Sequence, residues 1–386
     1  MKKELIISYE DDASKIALIE DGRLFELHEI KQNTDFVVGD IFVGKIKKLA
    51  PNLNAAFVNI GYEKDAFLHY QDLGPQYLTY RKFLQDTVSK RQQTSSLKNF
   101  QIQPEIDKHG TVDKVIAAQD EVLLQITKEP ISTKGPRIST QISLTGRFLV
   151  LIPFDNKVSI SKKVKSPEEK ARLKTLIESL KPEGFGVIIR TVAEGKKVAE
   201  LHNDMNQLVD KWNVCFKNIQ KNKTPAKVLS EEDKASAILR DNFNQDFVSI
   251  ICDDEQMVND MKNYLEVIAP ERKNIVQFYD SHIPLLEYYN VEKQLKQSFG
   301  KHVNIPSSKG AYLVIEHTEA LHVVDVNSGN NISSGTANKE HAQNVNKMAA
   351  TEIARQLRLR DMGGIIVVDF IDMPNPDHRK ELYEHL

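Results

Sequence analysis

Two short apolar segments that each end in an aspartate constrain this chain more than any other feature. They span residues 321–325 and 365–369. Between them, residues 341–359 carry apolar side chains at a three- and four-residue spacing, and Gly363-Gly364 follow, which predicts a helix. Short β-branched segments on both sides of a helix are typical of a βαβ unit. The sequence therefore predicts two parallel strands joined by one helix.

The two terminal aspartates are candidates for a divalent cation site. In open α/β sheets, ligands bind at the carboxyl ends of the strands, where Asp325 and Asp369 would lie. Neighbouring strands are about 4.8 Å apart, so two such carboxylates could share one ion, with Asn327 close by. Alternatively, each aspartate caps the next turn or pairs with an arginine, because an unpaired buried charge is costly. Asp372 is more simply a turn residue.

The composition is that of an ordinary globular protein, and it limits the function classes. The 386 residues suffice for roughly two to four domains. The net charge of −2 means that any nucleic-acid-binding surface must be local. Cys215 and Cys252 match neither a disulfide nor a metal pattern, which predicts buried thiols in a reducing compartment. We find no signal sequence and no segment long enough to span a membrane, and therefore expect a cytoplasmic enzyme or RNA-binding protein.

The first 128 residues are predicted to be rich in strands. Apolar segments at 5–7, 15–19 and 24–27, with a hairpin signal at Asp21-Gly22, predict a small sheet that needs further strands. The following strand signals predict a five-stranded OB barrel, and they lie at 40–48, 55–60, 66–69 and 121–127. A polar insertion at about 74–113, to which we assign no role, interrupts the barrel. Residues 128–139 are predicted to be the linker that follows the barrel.

Two further patterns suggest contacts with nucleic acid. OB barrels bind single strands by stacking bases on aromatic side chains over a basic groove, and Phe57 and Phe67, with Lys134, are candidates. The alternative is that both phenylalanines belong to the barrel core, where phenylalanine usually lies. In the segment GFGVIIRTVAEGK, Arg190 ends a buried strand and Thr191 follows it. A planar guanidinium beside a hydroxyl suits a terminal phosphate.

Three segments closely resemble the ribonuclease E/G family: AAFVNIGYEKDAFL, EALHVVDVNSG and, most specifically, AATEIARQLRLRDMGGIIVVDFIDM. The resemblance covers the whole chain in the domain order of the family, and it implies an α/β and α+β multidomain fold. In that fold an RNase H-like subdomain (1–36 and 216–279) is interrupted by an S1 barrel of the OB fold (37–128) and a 5′-sensor (140–215). A DNase I-like catalytic domain (280–386) follows, and we expect it to be incomplete at residue 386.

The resemblance also implies roles for individual residues. Asp325 and Asp369 would hold Mg²⁺, with Mn²⁺ as the alternative ion, and Asn327 would orient Asp325 and contact the phosphate. In the barrel, Phe57 and Phe67 would face the RNA. The implied 5′-phosphate site consists of Gly146 and Val150 through their backbones, Arg190 and Thr191 through their side chains, and Lys162. Lys162 stands where the family often has arginine, which keeps the charge but loses the bidentate geometry.

The function implied by the resemblance is Mg²⁺-dependent endonucleolytic cleavage of single-stranded RNA. Substrates with a 5′-monophosphate would be favoured, products would carry 5′-phosphate ends, and the roles would be rRNA processing and mRNA decay. The alternative class is a non-catalytic S1-domain RNA-binding protein. A DNA phosphodiesterase is a further alternative, against which the barrel aromatics argue.

Family members carry a Cys-Pro-x-Cys zinc link and a small domain after the catalytic domain. This sequence stops at Leu386, before both, and offers no other zinc-ligand cluster, so we expect no zinc site. The resemblance therefore gives no ground for a homodimer or tetramer built on that link.

Overall fold

The computed structural model describes residues 2–10, 13–31, 36–130, 134–231, 234–308, 310–329 and 336–386. Its strands are β1 Lys3–Glu10, β2 Ala13–Glu20, β3 Arg23–Lys31, β4 Ile41–Ala50, β5 Ala55–Asn59, β6 Ala66–His69, β7 Glu121–Lys128, β8 Arg137–Ser139, β9 Leu144–Thr145, β10 Leu149–Pro153, β11 Val158–Ile160, β12 Phe185–Ile189, β13 Ala226–Leu229, β14 Phe247–Cys252, β15 Val276–Phe278, β16 His302–Asn304, β17 Tyr312–His317, β18 Leu321–Asn327 and β19 Ile365–Asp369. Its helices are α1 Tyr77–Val88, α2 Pro167–Leu180, α3 Val198–Lys221, α4 Lys234–Asn242, α5 Glu255–Ile268, α6 Leu285–Tyr288, α7 Val291–Ser298, α8 Thr336–Leu359 and α9 Pro376–His385. The chain forms two compact units, one of Met1–Asn33 with Asn242–Leu386 and one of Thr34–Asp241.

In the first unit, the N-terminal strands complete their sheet with strands from much later in the chain. The strand order is β15-β14-β1-β2-β3, and β1 pairs in parallel with β14. Asp21 and Gly22 both have positive φ, at 47° and 77°, as a tight hairpin between twisted strands requires. The predicted strands and turn are therefore confirmed, together with the need for additional strands.

A four-stranded sheet in the same unit contains the predicted βαβ arrangement. Its order is β16-β17-β18-β19, and β18 pairs in parallel with β19. The connecting helix α8 packs Val345, Ala349 and Ile353 against the buried residues of β17 and β18. Before this sheet, the short helices α6 and α7 are separated by Tyr289 and Asn290, and Asn290 adopts a left-handed conformation with φ 54°.

In the second unit, β4, β5, β6, β8 and β7 close into a five-stranded barrel, because β7 also pairs with β4. One prediction needs correction here. The segment 128–139 is not only a linker, since β8 lies within it and closes the barrel between β6 and β7. Pro136 contributes to this pairing, because its carbonyl accepts a hydrogen bond from the Phe67 N–H at 2.8 Å.

The insertion between β6 and β7 also differs from the expected polar loop. It contains α1, which buries Tyr77, Tyr80 and Phe83. The ring of Phe83 stacks on Trp212 of α3 with centroids 5.4 Å apart, and the Trp212 indole N–H donates to the Ser95 carbonyl. The insertion therefore forms part of the core of the second unit, in which Trp212 is buried.

A second sheet in this unit, ordered β11-β12-β10-β9, packs with α2 and α3 into that core. The domain boundary that we predicted at residue 215 lies inside α3, which continues to Lys221. The compact unit extends to Asp241 because β13 pairs with β4 of the barrel.

Both cysteines are buried free thiols. Within the described parts of the chain, no helix combines the length and the apolar character needed to cross a bilayer.

Candidate functional site

The two predicted catalytic aspartates lie side by side at the ends of parallel strands. Asp325 of β18 and Asp369 of β19 are register partners, so their side chains lie on the same face of the sheet. Both are exposed, whereas Val324 and Val326 point to the opposite face, against α8. The Asn327 side-chain amide donates to Asp325 Oδ2 at 2.6 Å, so Asn327 orients this carboxylate. The structure thus brings together the three residues that the sequence analysis selected.

This pair of carboxylates fits a hard divalent cation. Neither aspartate forms an ion pair with any residue that the structure describes, so the arginine-paired alternative is not observed there. Mg²⁺ is commonly held by one or two carboxylates while it keeps several waters, which suits two solvent-open side chains. Two adjacent carboxylates also repel each other, and a bound cation would remove this repulsion. The described residues contain no group of three or more His, Cys, Asp or Glu that could hold an ion, so the pair would share its ligand sphere with water.

Two aromatic side chains share this face and were missed in the sequence. Tyr312 of β17 is the register partner of Asn327, and its ring lies 5.7 Å from that of His302. These two rings lie near Asn327 because β16, β17 and β18 pair in this register. The alternation of residues within a single strand does not reveal that pairing. The exposed face of the sheet around Asp325 and Asp369 therefore carries the rings of Tyr312 and His302 in addition to the two carboxylates.

The two barrel phenylalanines point away from the barrel core. Phe57 and Phe67 are register partners on β5 and β6, with ring centroids 5.8 Å apart at 66°. Both are half-buried, whereas the residues on either side of them in each strand are buried. Lys48 lies opposite Phe57 on β4 and is exposed, as is Lys134 before β8. Phe57 and Phe67 thus form an aromatic surface, with Lys48 beside Phe57.

The residues expected to bind a 5′-phosphate converge at one end of the β10-β12-β11 sheet. Arg190 follows β12, and its Nη1 donates to the Gly146 carbonyl at 2.8 Å. The Thr191 and Ser161 hydroxyls are hydrogen-bonded at 2.9 Å, and the exposed Lys162 follows Ser161. Val150 lies on β10 as the register partner of Ile188 and is half-buried.

A buried carboxylate that the sequence analysis missed shapes this end of the sheet. Asp204 of α3 is 6% exposed and accepts hydrogen bonds from the backbone N–H groups of Arg147, Phe148 and Leu149 at 2.9–3.0 Å. Burial raises the pKa of Asp204 above its ordinary value, although these three donors oppose the shift. A Cβ at position 146 would lie 2.7 Å from Asp204 Oδ2, so only glycine fits there. The aspartate escaped notice because a single acid on an amphipathic helix is usually solvated.

Comparison with known proteins identifies the family of this chain. The model of the ribonuclease E/G family matches residues 143–386. Ribonuclease E of Nostoc sp. is 34% identical over 389 aligned residues, which cover 100% of this chain and 52% of that protein. Ribonuclease G of Haemophilus influenzae is 33% identical, covering 99% of this chain and 74% of that protein. Ribonuclease G of Escherichia coli is 31% identical, covering 100% of this chain and 74% of that protein.

The chain thus spans about half the length of the Nostoc protein and about three quarters of the two ribonucleases G. The resemblance seen in the sequence is confirmed by a family match over more than half of the chain and by relatives aligned along its full length. The chain belongs to the ribonuclease E/G family.

Proposed function

We propose that this protein is an endoribonuclease that hydrolyses single-stranded RNA with Mg²⁺ held between Asp325 and Asp369. The observation that carries the proposal is the register pairing of these two exposed carboxylates at the ends of parallel strands, with Asn327 bonded to one of them. The relatives named ribonuclease E and ribonuclease G support RNA as the substrate. Both carboxylates are exposed, as access of RNA to an ion held between them requires.

In this proposal each of the three residues has a separate task. Asp325 and Asp369 hold the ion, and Asn327 keeps the Asp325 carboxylate in one orientation. The second N–H of the Asn327 amide remains able to donate to a phosphate oxygen. When bound, the ion would supply positive charge beside the scissile phosphate and would make water a stronger nucleophile at neutral pH.

The second unit would select the substrate. Phe57 and Phe67 would stack on unpaired bases, which favours single strands, and Lys134 would contact a phosphate. Arg190, Thr191, Gly146, Val150 and Lys162 would bind a 5′-monophosphate, which favours RNA ends of that kind. We propose that the protein acts in RNA processing and decay in the cytoplasm, and its two buried free thiols agree with a reducing compartment.

The test is to replace Asp325 and Asp369 by asparagine, singly. We expect each change to lower the cleavage rate by about 10³-fold, because losing an ion's charge stabilisation costs several kcal/mol. Binding of the same RNA should change by less than about twofold, since both residues are remote from the barrel in sequence and are not base-stacking groups. Asp372→Asn removes an exposed carboxylate close in sequence to Asp369 and should leave cleavage unchanged.

The assay uses one sequence as 5′-monophosphorylated RNA, 5′-hydroxyl RNA and DNA, each with Mg²⁺ or with EDTA. Mg²⁺-dependent RNA cleavage that persists in both variants would refute the site. Binding of RNA without cleavage by the unaltered protein would favour a non-catalytic RNA-binding protein, and equal cleavage of DNA would favour a general phosphodiesterase.

A further inference from the structure

A series of ion pairs and hydrogen bonds between charged residues leads from the barrel to Arg190 within the second unit. Asp40, just before β4, pairs with Lys227 at 2.8 Å and accepts the Glu231 backbone N–H at 2.8 Å. Glu231 accepts from Arg240 Nη1 at 2.5 Å. Arg240 Nε lies 3.4 Å from Asp241 Oδ1, and that same oxygen lies 2.8 Å from Arg190 Nη2. The series therefore ends at the guanidinium proposed to bind the 5′-phosphate.

Asp40 and Arg240 are the most buried members of this series, and its last two residues are more exposed. The Asp40 side chain is 2% exposed and Arg240 is 8% exposed, whereas Arg190 is 25% and Asp241 is 40% exposed. The inner residues are held by packing and by several contacts, and the outer pair faces solvent. Arg240 and Asp241 also line an open cavity of about 800 Å³ with Gly39, Arg137 and Ser139. A ligand from solvent can therefore reach the outer end of the series.

The contacts of Arg190 fix the plane of its guanidinium. Nη1 donates to the Gly146 carbonyl and Nη2 pairs with Asp241, both at 2.8 Å. Because these two acceptors engage different terminal nitrogens, the group cannot rotate without breaking one of them. A guanidinium has five N–H donors, so these two contacts leave three for a ligand. Orientation matters here because bidentate recognition of phosphate requires donors in a set plane.

We propose that Asp241 is a positioning residue for 5′-end recognition: it orients Arg190 toward the terminal phosphate without touching the RNA. The inference rests on the proposed role of Arg190 as a 5′-phosphate ligand. Arg240 supports Asp241 in turn, because its guanidinium lies against the same oxygen and is itself held by Glu231. Each of the three acids of the series lies beside a base, so the charges of its six residues balance.

The test compares Asp241→Ala with Asp241→Asn. Each variant cleaves one RNA sequence that carries either a 5′-monophosphate or a 5′-hydroxyl, and the ratio of the two kcat/KM values is the readout. For Asp241→Ala we expect this ratio to fall about tenfold, through KM, because the guanidinium loses its orientation. Cleavage of 5′-hydroxyl RNA should stay within about twofold. Asp241→Asn should recover most of the ratio, since an amide oxygen can still accept from Arg190 Nη2.

Two further variants separate the possible outcomes. Asp86→Ala removes another carboxylate of the same unit that is ion-paired with an arginine and a lysine, and it should not change the ratio. Arg190→Ala tests the underlying function. If Arg190→Ala abolishes the preference and Asp241→Ala does not, the positioning role is refuted while 5′-phosphate recognition stands.

A higher ratio in Asp241→Ala would refute the positioning role in a different way, because it would identify Asp241 as a competitor of the phosphate. An asparagine variant as impaired as the alanine variant would also refute it. If the unaltered protein shows no preference for the monophosphate, both the 5′-sensor proposal and this inference fail, whereas the assignment of Asp325 and Asp369 is unaffected.

Discussion

At the residue scale, Asp204 shows how a single buried acid can determine a binding loop. Its carboxylate accepts three successive backbone N–H groups at residues 147–149, and its oxygens occupy the space that a Cβ at position 146 would need. Successive N–H groups that converge on one anion hold the backbone in a fixed turn. The Gly146 carbonyl, which accepts from Arg190, is part of that turn. The proposed phosphate ligands thus depend on a residue that does not belong to their own sheet.

Replacing Asp204 by alanine should therefore be costly. It leaves three backbone N–H groups without their acceptor, and each buried unsatisfied group costs about 1–3 kcal/mol unless water reaches it. We expect the free energy of unfolding of the second unit to fall by roughly 2–5 kcal/mol, measured by urea denaturation. Asp210→Ala, at an exposed site on the same helix, should change it by less than about 0.5 kcal/mol. Equal, small effects of the two changes would contradict this role for Asp204.

The residues that sequence could identify share one property. Asp325, Asp369 and Arg190 each end an apolar strand, and the end of a strand is a position that local pattern can locate. Asp204 and Asp241 lie on helices and act through hydrogen bonds to distant residues, so no local pattern marks them. Asp204 reaches its partners because α3 packs against β9 and β10, and Asp241, on α4, reaches Arg190 through an ion pair across the second unit.

At the element scale, the docking of α8 on β3 depends on charged groups as well as on apolar packing. Glu26 of β3 is hydrogen-bonded to His28 and receives two nitrogens of Arg358 from α8, at 2.7 and 3.1 Å. The His28 hydrogen bond and then Arg358 lower the pKa of Glu26 from 4.5 to about 2, against an opposing effect of burial. The Arg358 guanidinium also lies 5.0 Å from the centre of the Phe25 ring. The ionised form of Glu26 therefore helps to hold the helix.

The lowered pKa of Glu26 predicts how the free energy of unfolding depends on pH. Because the folded-state pKa of Glu26 is lowered, its stabilisation is complete above about pH 4.5 and is lost as the pH falls toward about 2. Glu26→Gln should make the free energy of unfolding less dependent on pH across this interval. Urea denaturation at several pH values measures the effect. Glu29→Gln, at an exposed position of the same strand, should keep the original dependence, and identical profiles for the two variants would exclude the role of Glu26.

The elements that the sequence did not predict are those whose stability comes from residues distant in the chain. Tyr77, Tyr80 and Leu84 recur at helical spacing in α1, but the polar residues that follow them suggested a loop. The helix is held by Trp212 and other core residues of α3. Likewise, β8 has only three residues and no alternation of its own, and it is defined by its neighbours β6 and β7. In contrast, β18, α8 and β19 were predictable because their own periodicity is strong.

At the scale of the whole molecule, the limits of the compact units differ from the boundaries predicted from the sequence. The sheet of the first unit joins N-terminal strands to residues 247–252 and 276–278, which lie beyond the barrel in the chain. The unit that contains the barrel ends at Asp241 rather than near residue 215, because α3, β13 and α4 remain packed within it. A boundary in sequence is visible only where composition changes, and none changes at Asp241.

The net charge of the whole chain limits where attraction to RNA can arise. The net charge is −2, so attraction to RNA must come from local cations such as Lys48, which pairs with Phe57 across the strands, and the exposed Lys134. Stacking and phosphate contacts respond differently to salt, because only phosphate contacts release counterions. Substituting an aromatic residue and a lysine should therefore weaken binding in two distinguishable ways, which can be separated by measuring RNA affinity across a series of salt concentrations.

For Phe57→Ala and Phe67→Ala, we expect affinity for single-stranded RNA to fall by about 1–3 kcal/mol at every salt concentration, because one stacked base is lost. The slope of log affinity against log salt should stay constant. Lys134→Ala should instead reduce the steepness of that slope by about 0.7, the value for one phosphate contact on a single strand. Phe278→Ala, which removes a 47%-exposed phenylalanine from the other unit, should change neither quantity. If the barrel phenylalanines behave like Phe278, the aromatic surface does not bind bases, and selection of single-stranded RNA must come from the face around Asp325 and Asp369.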